Sequence, residues 1–400
     1  MKKIIGIIIV MLLIGTSLSV LGTTNKYELK SNSISGGWIK HFEGTSWGHN
    51  VIQTSDGGYL IAGGTDYSGD SDALLIKTDS NGNTQWEIKL GFMGWDAFEG
   101  LCELSNGNFV ASGIDSGKGF LVKIDQDGEI IWQKQYGDSN NCYFIDLMET
   151  TDGNLAMSGY FYQQDATAAD AWFMKTDIDG NEIFSFTYGT DGSDSFHSLS
   201  ETSDSGFILC GWKNGSALVV KIDSSGIIQW DKTYDSVDYL HSGIQTSDGG
   251  YIFTGGGPLS FSLLAKLGLG GIPQIFILKT DSNGNELWAK DFGILFSHEL
   301  GMWIEETDDK GIIVIGNYLG IGTIVNYIQD SHFFPLWSKI WIIKTDSDGN
   351  LEWDKKIETG FGRCIKQTTD GGFILTGQRG AYNNPEGILL IKTDENGNID

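Results

Sequence analysis

Only two arginines, Arg363 and Arg379, occur among 400 residues, against 52 acidic side chains and a formal net charge of −26. A surface of that sign repels phosphate backbones and anionic headgroups, so nucleic-acid binding is disfavoured and Arg-clustered recognition of polyanions is not supported. Cysteine is also scarce: Cys102, Cys142, Cys210 and Cys364 form no Cys-x-x-Cys pair and stand at different places in the chain. That pattern supports neither a disulfide framework nor a zinc knuckle, and buried free thiols are expected. Proline is nearly missing, with four residues, whereas glycine is abundant, with 56. Glycine reaches positive φ without steric cost, so the balance points to many tight turns between strands. No Gly-x-Ser-x-Gly elbow, His-Glu-x-x-His pair or phosphate loop is present.

One long apolar run stands at the N-terminus. Met1-Lys2-Lys3 precedes Ile4 to Ile14, and small residues follow to Gly22. Residues 1–22 therefore read as a signal peptide cleaved near Gly22, with an uncleaved anchor as the alternative. A linker is expected over 23–36 and the folded part over 37–400. The protein is expected to be secreted or held at the cell surface, with no membrane span beyond this segment.

The rest of the chain is a repeat. His49 to Gly91 holds four β-like runs: A (Val51–Thr54), B (Tyr59–Gly63), C (Ala73–Thr78) and D (Gln85–Leu90). The turn between A and B recurs at Asp56, Asn106, Asp152, Asp204, Asp248, Asp309 and Asp370. The turn between C and D recurs at Asp79, Asp125, Asp177, Asp223, Asp281, Asp346 and Asp394, again seven times. Strand D carries an aromatic at a fixed place: Trp86, Trp132, Phe184, Trp230, Trp288 and Trp353. The seventh aromatic lies at the other end, as Trp38 in Gly37-Trp38-Ile39-Lys40. The expected fold is all-β: a seven-bladed β-propeller of four-stranded blades, closed by an N-terminal strand that completes the last blade. An open solenoid is the alternative, and a monomer is the expected state.

Asp79-x-x-Gly82-x-x-x-Trp86 and its copies resemble the blade repeat of quinoprotein-type (pyrroloquinoline-quinone) propellers and of exported archaeal and bacterial propeller proteins. The resemblance implies the fold over residues 38 to 400. It implies no activity, because the motif belongs to the blade and not to an active site. Those quinone enzymes are typically eight-bladed, and the adjacent-cysteine disulfide many of them carry is absent here.

Two features on one face are candidates for function. Asp-Ser-Asn-Gly-Asn turns such as Asp281 to Asn285 lack EF-hand spacing and are explained as hairpin turns. The connections from B to C, by contrast, vary in length, and the longest run from Gly255 to Asp281 and from Gly316 to Asp346. They carry Phe261, Leu264, Leu267, Tyr327, Phe333, Phe334 and Trp337, either a partner surface or a mutually packed plug. The position seven residues before each A–B turn holds His49, Glu99, Ile145, His197, His241, Met302 and Arg363, with Asp146 beside it. His49, Glu99, Asp146, His197, His241 and Arg363 are thus candidates for an axial ligand or metal site, or for hydrogen bonding within the blades. No cofactor is required by the sequence. The functional expectation is a non-enzymatic exported module that binds a protein, glycan or surface partner. An enzyme with a metal- or quinone-dependent axial site is the alternative.

Overall fold

The computed structural model describes residues 36–399 except 45, 66–70, 92–93, 138–141, 163–167, 190–191, 235–236, 257–273, 294–297, 320–337 and 382–383. The expected signal peptide, nearly all of the linker, and Phe261, Leu264, Leu267, Tyr327, Phe333, Phe334 and Trp337 lie outside the described residues. Every regular element described is a strand. No described helix is long and apolar enough to cross a membrane.

Five repeats each fold into a four-stranded antiparallel sheet in the order A-B-C-D. The first comprises Ser46–Gln53, Tyr59–Thr65, Ala73–Thr78 and Thr84–Leu90, so strand A begins earlier than its apolar core suggests. The sixth sheet has seven strands rather than four. Its cause is Leu351–Gln367, which runs on as one strand where D of one repeat passes into A of the next. Its first part pairs with Ser338–Thr345 and its second, from Gly360, with Phe373–Ala381. The break between them is only a bend at Glu358, whose φ is 38°. On the outer side of this sheet, Trp38–Glu43 pairs antiparallel with Asn384–Thr393, from Trp38 opposite Lys392 to Glu43 opposite Gly387.

Burial grades outward. Strands B and C of the first repeat are buried almost throughout, whereas strand D alternates between exposed and half-buried residues. D is the outer edge, and its aromatic reaches across to the next repeat. A Cβ built on Gly82 would stand 2.6 Å from the Trp38 ring, and one on Gly284 2.8 Å from Trp230. The same meeting joins Trp86 to Gly128, Trp132 to Gly180, Phe184 to Gly226, Trp288 to Gly349 and Trp353 to Gly397. The Gly and Trp of the motif thus serve contacts between repeats, and Gly is needed both for space and for its positive φ.

A second device links each repeat to the next through its A–B turn. Ser55 N–H donates to Glu103 at 2.8 Å, Ser105 N–H to Glu149, Thr151 N–H to Glu201 and Ser203 N–H to Gln245. Ser247 N–H then donates to Glu306, Asp308 N–H to Gln367, and Thr369 N–H to Gln53 at 2.9 Å. The last of these connects the seventh repeat to the first.

Within a repeat, a buried lysine of strand C holds the A–B turn. Lys77, 2% exposed, meets Asp56 at 2.8 Å, and the turn is tightened by Thr54 Oγ and Gly58 N–H on the same carboxylate. Lys175–Asp152, Lys221–Asp204, Lys279–Asp248, Lys344–Asp309 and Lys392–Asp370 repeat the pair. In the second repeat Asn106 replaces the aspartate, and Lys123 donates to the Ile178 carbonyl instead.

Candidate functional site

Every strand A is broken by one β-bulge, and the bulged residue is the one singled out by the repeat. Pairing skips His49 between Gly48 and Asn50, and likewise skips Glu99, Ile145, His197, His241, Met302 and Arg363. A bulged residue has no opposite number in the ladder, so the backbone re-aims its side chain. A glycine within strand B makes room for this. A Cβ on Gly63 would run into the Trp47 carbonyl, and Gly113, Gly159 and Gly211 face the same obstacle.

Four of the bulged residues form two groups. In the first, His49 Nδ1 lies 2.5 Å from Glu99 Oε2, and the Tyr143 hydroxyl donates to Glu99 Oε1. Glu99 is 9% exposed, so this Tyr–Glu–His relay across repeats one to three is nearly dry. In the second, the His197 and His241 rings stack at 5.2 Å, with Tyr239 edge-on to His241 at 5.0 Å and Ser195 Oγ 3.0 Å from His197 Nε2. Arg363 lies over the Phe361 ring at 4.8 Å. The groups act on one another across repeats: Glu99 on His197, and Arg363 on His49, His241 and Tyr143.

Burial depresses all three histidines. It lowers His49 despite Glu99, with Arg363 adding to the effect; it takes His197 to about 4 against help from Leu240 and Glu99. Burial, then His197 and Arg363, put His241 well below 6.5. Burial thus favours the neutral imidazole at all three positions. Burial likewise pushes the Tyr143 hydroxyl far up, and Glu99 reinforces it.

Asp146 stands one residue past the bulge of its strand, and its charge acts on Lys366 of the seventh repeat. Its Oδ1 accepts the Leu147 N–H at 2.9 Å and its Oδ2 the Leu199 N–H at 3.0 Å, which ties the third repeat to the fourth. Among the described residues, no three His, Cys, Asp or Glu side chains are grouped closely enough to hold a metal ion. The four cysteines are free, and burial raises Cys102 and Cys364 to about 12.

Sequence reasoning missed several neighbours. Two residues before the bulge, Trp47, Tyr143, Tyr239 and Phe361 give the rim its aromatic character. Trp47, Trp95, Tyr143 and Tyr160 stack in succession at 6.4, 5.8 and 5.5 Å, with Trp95 39% exposed. Three residues after the bulge, Glu305 and Lys366 pair at 2.6 Å, and Lys366 lies 4.5 Å over Trp303. The aromatic signal was visible as a repeat column. The ion pair was not, because the other members of its column are Ile52, Cys102, Met148, Ser200 and Ile244.

These shifts give a pH dependence in two stages. A histidine lowered from 6.5 holds fewer protons folded than unfolded, so its stability contribution is complete above pH 6.5 and is lost on acidification through its folded value. At the turns, burial opposes ionisation, but hydrogen bonds from Lys77, Thr54 and Gly58 prevail and hold Asp56 at about 2. Asp152, Asp204, Asp248 and Asp309 are also at about 2. Their contribution is lost between 3.8 and 2. Asp146, raised by burial, works in the opposite sense. Urea midpoints should fall first below pH 6.5 and again below pH 3.8, and His197→Gln should shrink only the first fall.

No protein-family model and no curated protein matches the chain. Solved structures do. Virginiamycin B lyase from Staphylococcus aureus is 11% identical, with 89% of this chain and 99% of that one covered and a TM-score of 0.55. The Dos1 propeller is 11% identical, with 90% and 96% covered and a TM-score of 0.53. YCF48, solved bound to a D1 peptide, is 9% identical, with 92% and 98% covered and a TM-score of 0.54. At such identities the likeness establishes the fold, and the chain is a β-propeller. The bulged strands are then the innermost ones, facing the central axis.

Proposed function

We propose that the chain is an exported, non-enzymatic propeller of seven blades that binds a protein partner at the mouth of its axis. The seven-blade count is supported by seven bulged strands, by seven clasps that return to Gln53, and by the pairing of Trp38–Glu43 with Asn384–Thr393. On this count Leu351–Gln367 belongs to two blades. The motif shared with quinoprotein-type repeats supports a common blade design and no more.

The observation that carries the binding role is the set of bulged side chains. Among seven equivalent positions stand the His49–Glu99 pair, to which Tyr143 donates, a histidine pair and an arginine, beside an aromatic stack with an exposed edge. Few convergent polar groups within an apolar collar are what a binding site needs. YCF48 bound to a peptide is a precedent for a propeller of this shape engaging a polypeptide. A quinone with several carboxylates is a poor fit, because Arg363 is the single arginine among the seven bulged residues and Lys366 is engaged by Glu305.

The test is cross-linked capture from the envelope fraction of the source cells. The mature chain should retain a defined partner that a Glu99→Gln/Arg363→Gln variant, folded by circular dichroism, does not. Identical capture by both would remove the mouth from the proposal. Export predicts a mature N-terminus at about Thr23, read by N-terminal sequencing.

A further inference from the structure

We infer that the outer rim where strands D begin, across repeats two to six, is a docking surface for a basic amphipathic segment of a polypeptide. It lies at the opposite end of the sheets from the start of strand A, and the inference does not depend on the mouth.

Strand D carries a bulge of its own. Its pairing with strand C passes from Trp86 to Thr84 and skips Gln85, and in the following repeats it skips Ile131, Ile183, Gln229, Leu287 and Glu352. A bulge re-aims the displaced side chain. A polar residue there has a use within its repeat: Gln85 accepts from the buried Lys77 at 3.1 Å, and Glu352 from Lys344 at 2.9 Å. Ile131, Ile183 and Leu287 can accept nothing, and they stand 49, 50 and 59% exposed. The positions just before the bulge extend the pattern, with Ile130, Ile228 and Leu351 exposed as well, and Ile227 one residue earlier.

Scattered single aliphatics on a surface need no explanation. These are not scattered. Among the described residues, every large apolar side chain as exposed as these, Trp95 apart, stands at this rim. Half-buried aromatics carry the surface from one repeat to the next. Trp132 follows Ile131 and reaches Gly180, three residues before Ile183; Phe184 follows Ile183 and reaches Gly226, next to Ile227. Trp230 and Trp288 make the same step to Gly284 and Gly349. The first repeat has Thr84 and Gln85 at this place, so the surface is an arc and not a closed ring.

Charge selects the partner. Exposed carboxylates edge the arc: Asp127, Glu129, Asp179, Glu182, Glu286 and Asp348. The lysines beside them are occupied, Lys134 by Asn181 at 2.9 Å, Lys232 by Asn285 at 2.7 Å and Lys290 by Asn350 at 3.0 Å. The rim thus offers aliphatic contact and negative charge together. A helix with an apolar stripe flanked by cations satisfies both. A second copy of this chain would set the same carboxylates against these, and anionic headgroups would be repelled.

The full chain, at about 0.15 M salt, should be titrated by fluorescence anisotropy with a labelled amphipathic helix of leucine and lysine, about 18 residues long. A peptide of equal charge with serine for leucine gives the comparison. The leucine peptide should bind at least about tenfold more tightly, the factor expected of covering a few aliphatic side chains. Ile131→Ser/Ile183→Ser/Leu287→Ser should largely remove that difference and leave thermal unfolding unchanged, because all three side chains are exposed. Thr84→Ile, which extends the arc into the first repeat, should tighten binding of the leucine peptide. Equal binding of the two peptides, or a difference that survives the triple substitution unchanged, would overturn the inference. So would flotation with phosphatidylcholine vesicles, or dimers in sedimentation, that need the three aliphatics while the peptide does not bind. Lipid or a second copy would then be the occupant.

Discussion

A chain that lacks Trp38–Glu43 is expected to lose about 3–5 kcal/mol of stability and to aggregate on warming. The strand supplies the outer partner of Asn384–Thr393, the Trp38 ring against Gly82, and the Lys40 ammonium on Asn83 at 3.0 Å. Ile39 packs with the cluster that contains Leu389 and Ile391. Its removal strips one repeat of an outer strand and the next of its aromatic contact at the same time. The ten-residue strand left behind would also present a row of unpaired backbone groups, the usual template for edge-to-edge association. Differential scanning calorimetry and light scattering of the chain beginning at Gly44 would show both effects. A synthetic peptide spanning residues 36–44 should restore part of the loss. An unchanged unfolding temperature would mean that the seventh repeat stands without this strand.

Asp146→Ala is expected to cost about 2–5 kcal/mol, the range for orphaning buried donors of a charged acceptor. The side chain is 7% exposed and satisfies two backbone N–H groups in adjoining repeats, those of Leu147 and Leu199. Alanine leaves both without a partner where water has little access. Asp146→Asn retains one carbonyl oxygen and should recover roughly half of the loss. Chemical denaturation gives the stability, and titration with the ligand of the mouth gives the contrast. A group that ties repeats together moves the first measurement, whereas one that binds ligand moves the second. Weakened binding with unchanged stability would return Asp146 to the list of axial ligands.

Asp146 also shows where sequence reasoning stopped. In the one-dimensional pattern it stands next to the column of His49, Glu99 and Arg363, and adjacency is all that the sequence offers. The bulge adds a distinction: Ile145 is the displaced residue, and Asp146 resumes the ladder with its side chain on the neighbouring repeat. The repeat itself was legible because turns, aromatics and apolar runs recur at fixed offsets. Strand C of the first copy was located to the residue, as Ala73–Thr78. Strands A were set too short, since Ser46, Trp47 and Gly48 mix polar, aromatic and glycine residues in a segment that is wholly buried. The continuity of Leu351–Gln367 was not legible either, because a bend at one glutamate leaves no compositional mark.

The lysine of strand C illustrates a different blindness. Lys77-Thr78-Asp79 and its copies recur as plainly as the tryptophans, yet the significance of the lysine lies with Asp56, 21 residues earlier. Periodicity reveals that a position matters and not what it touches. The same holds for the glycine within strand B. Its recurrence at Gly63, Gly113, Gly159, Gly211, Gly255, Gly316 and Gly377 was noticed only as a ruler for loop length. Read as a place where no Cβ fits, it would have located each bulge from the sequence.

That glycine also separates architecture from chemistry. The displaced backbone of strand A is accommodated by the residue across from it, so the shape of each bulge does not depend on which side chain the bulge carries. His49, Glu99, Ile145, His197, His241, Met302 and Arg363 span basic, acidic, sulfur and aliphatic types on the same backbone. The ring therefore behaves as seven sockets of one design, each refillable without retooling its neighbours. Ile145 and Met302 are the two sockets that carry no ionisable group. They are where a new specificity can be written while the relay, the histidine pair and the fold are left as they are.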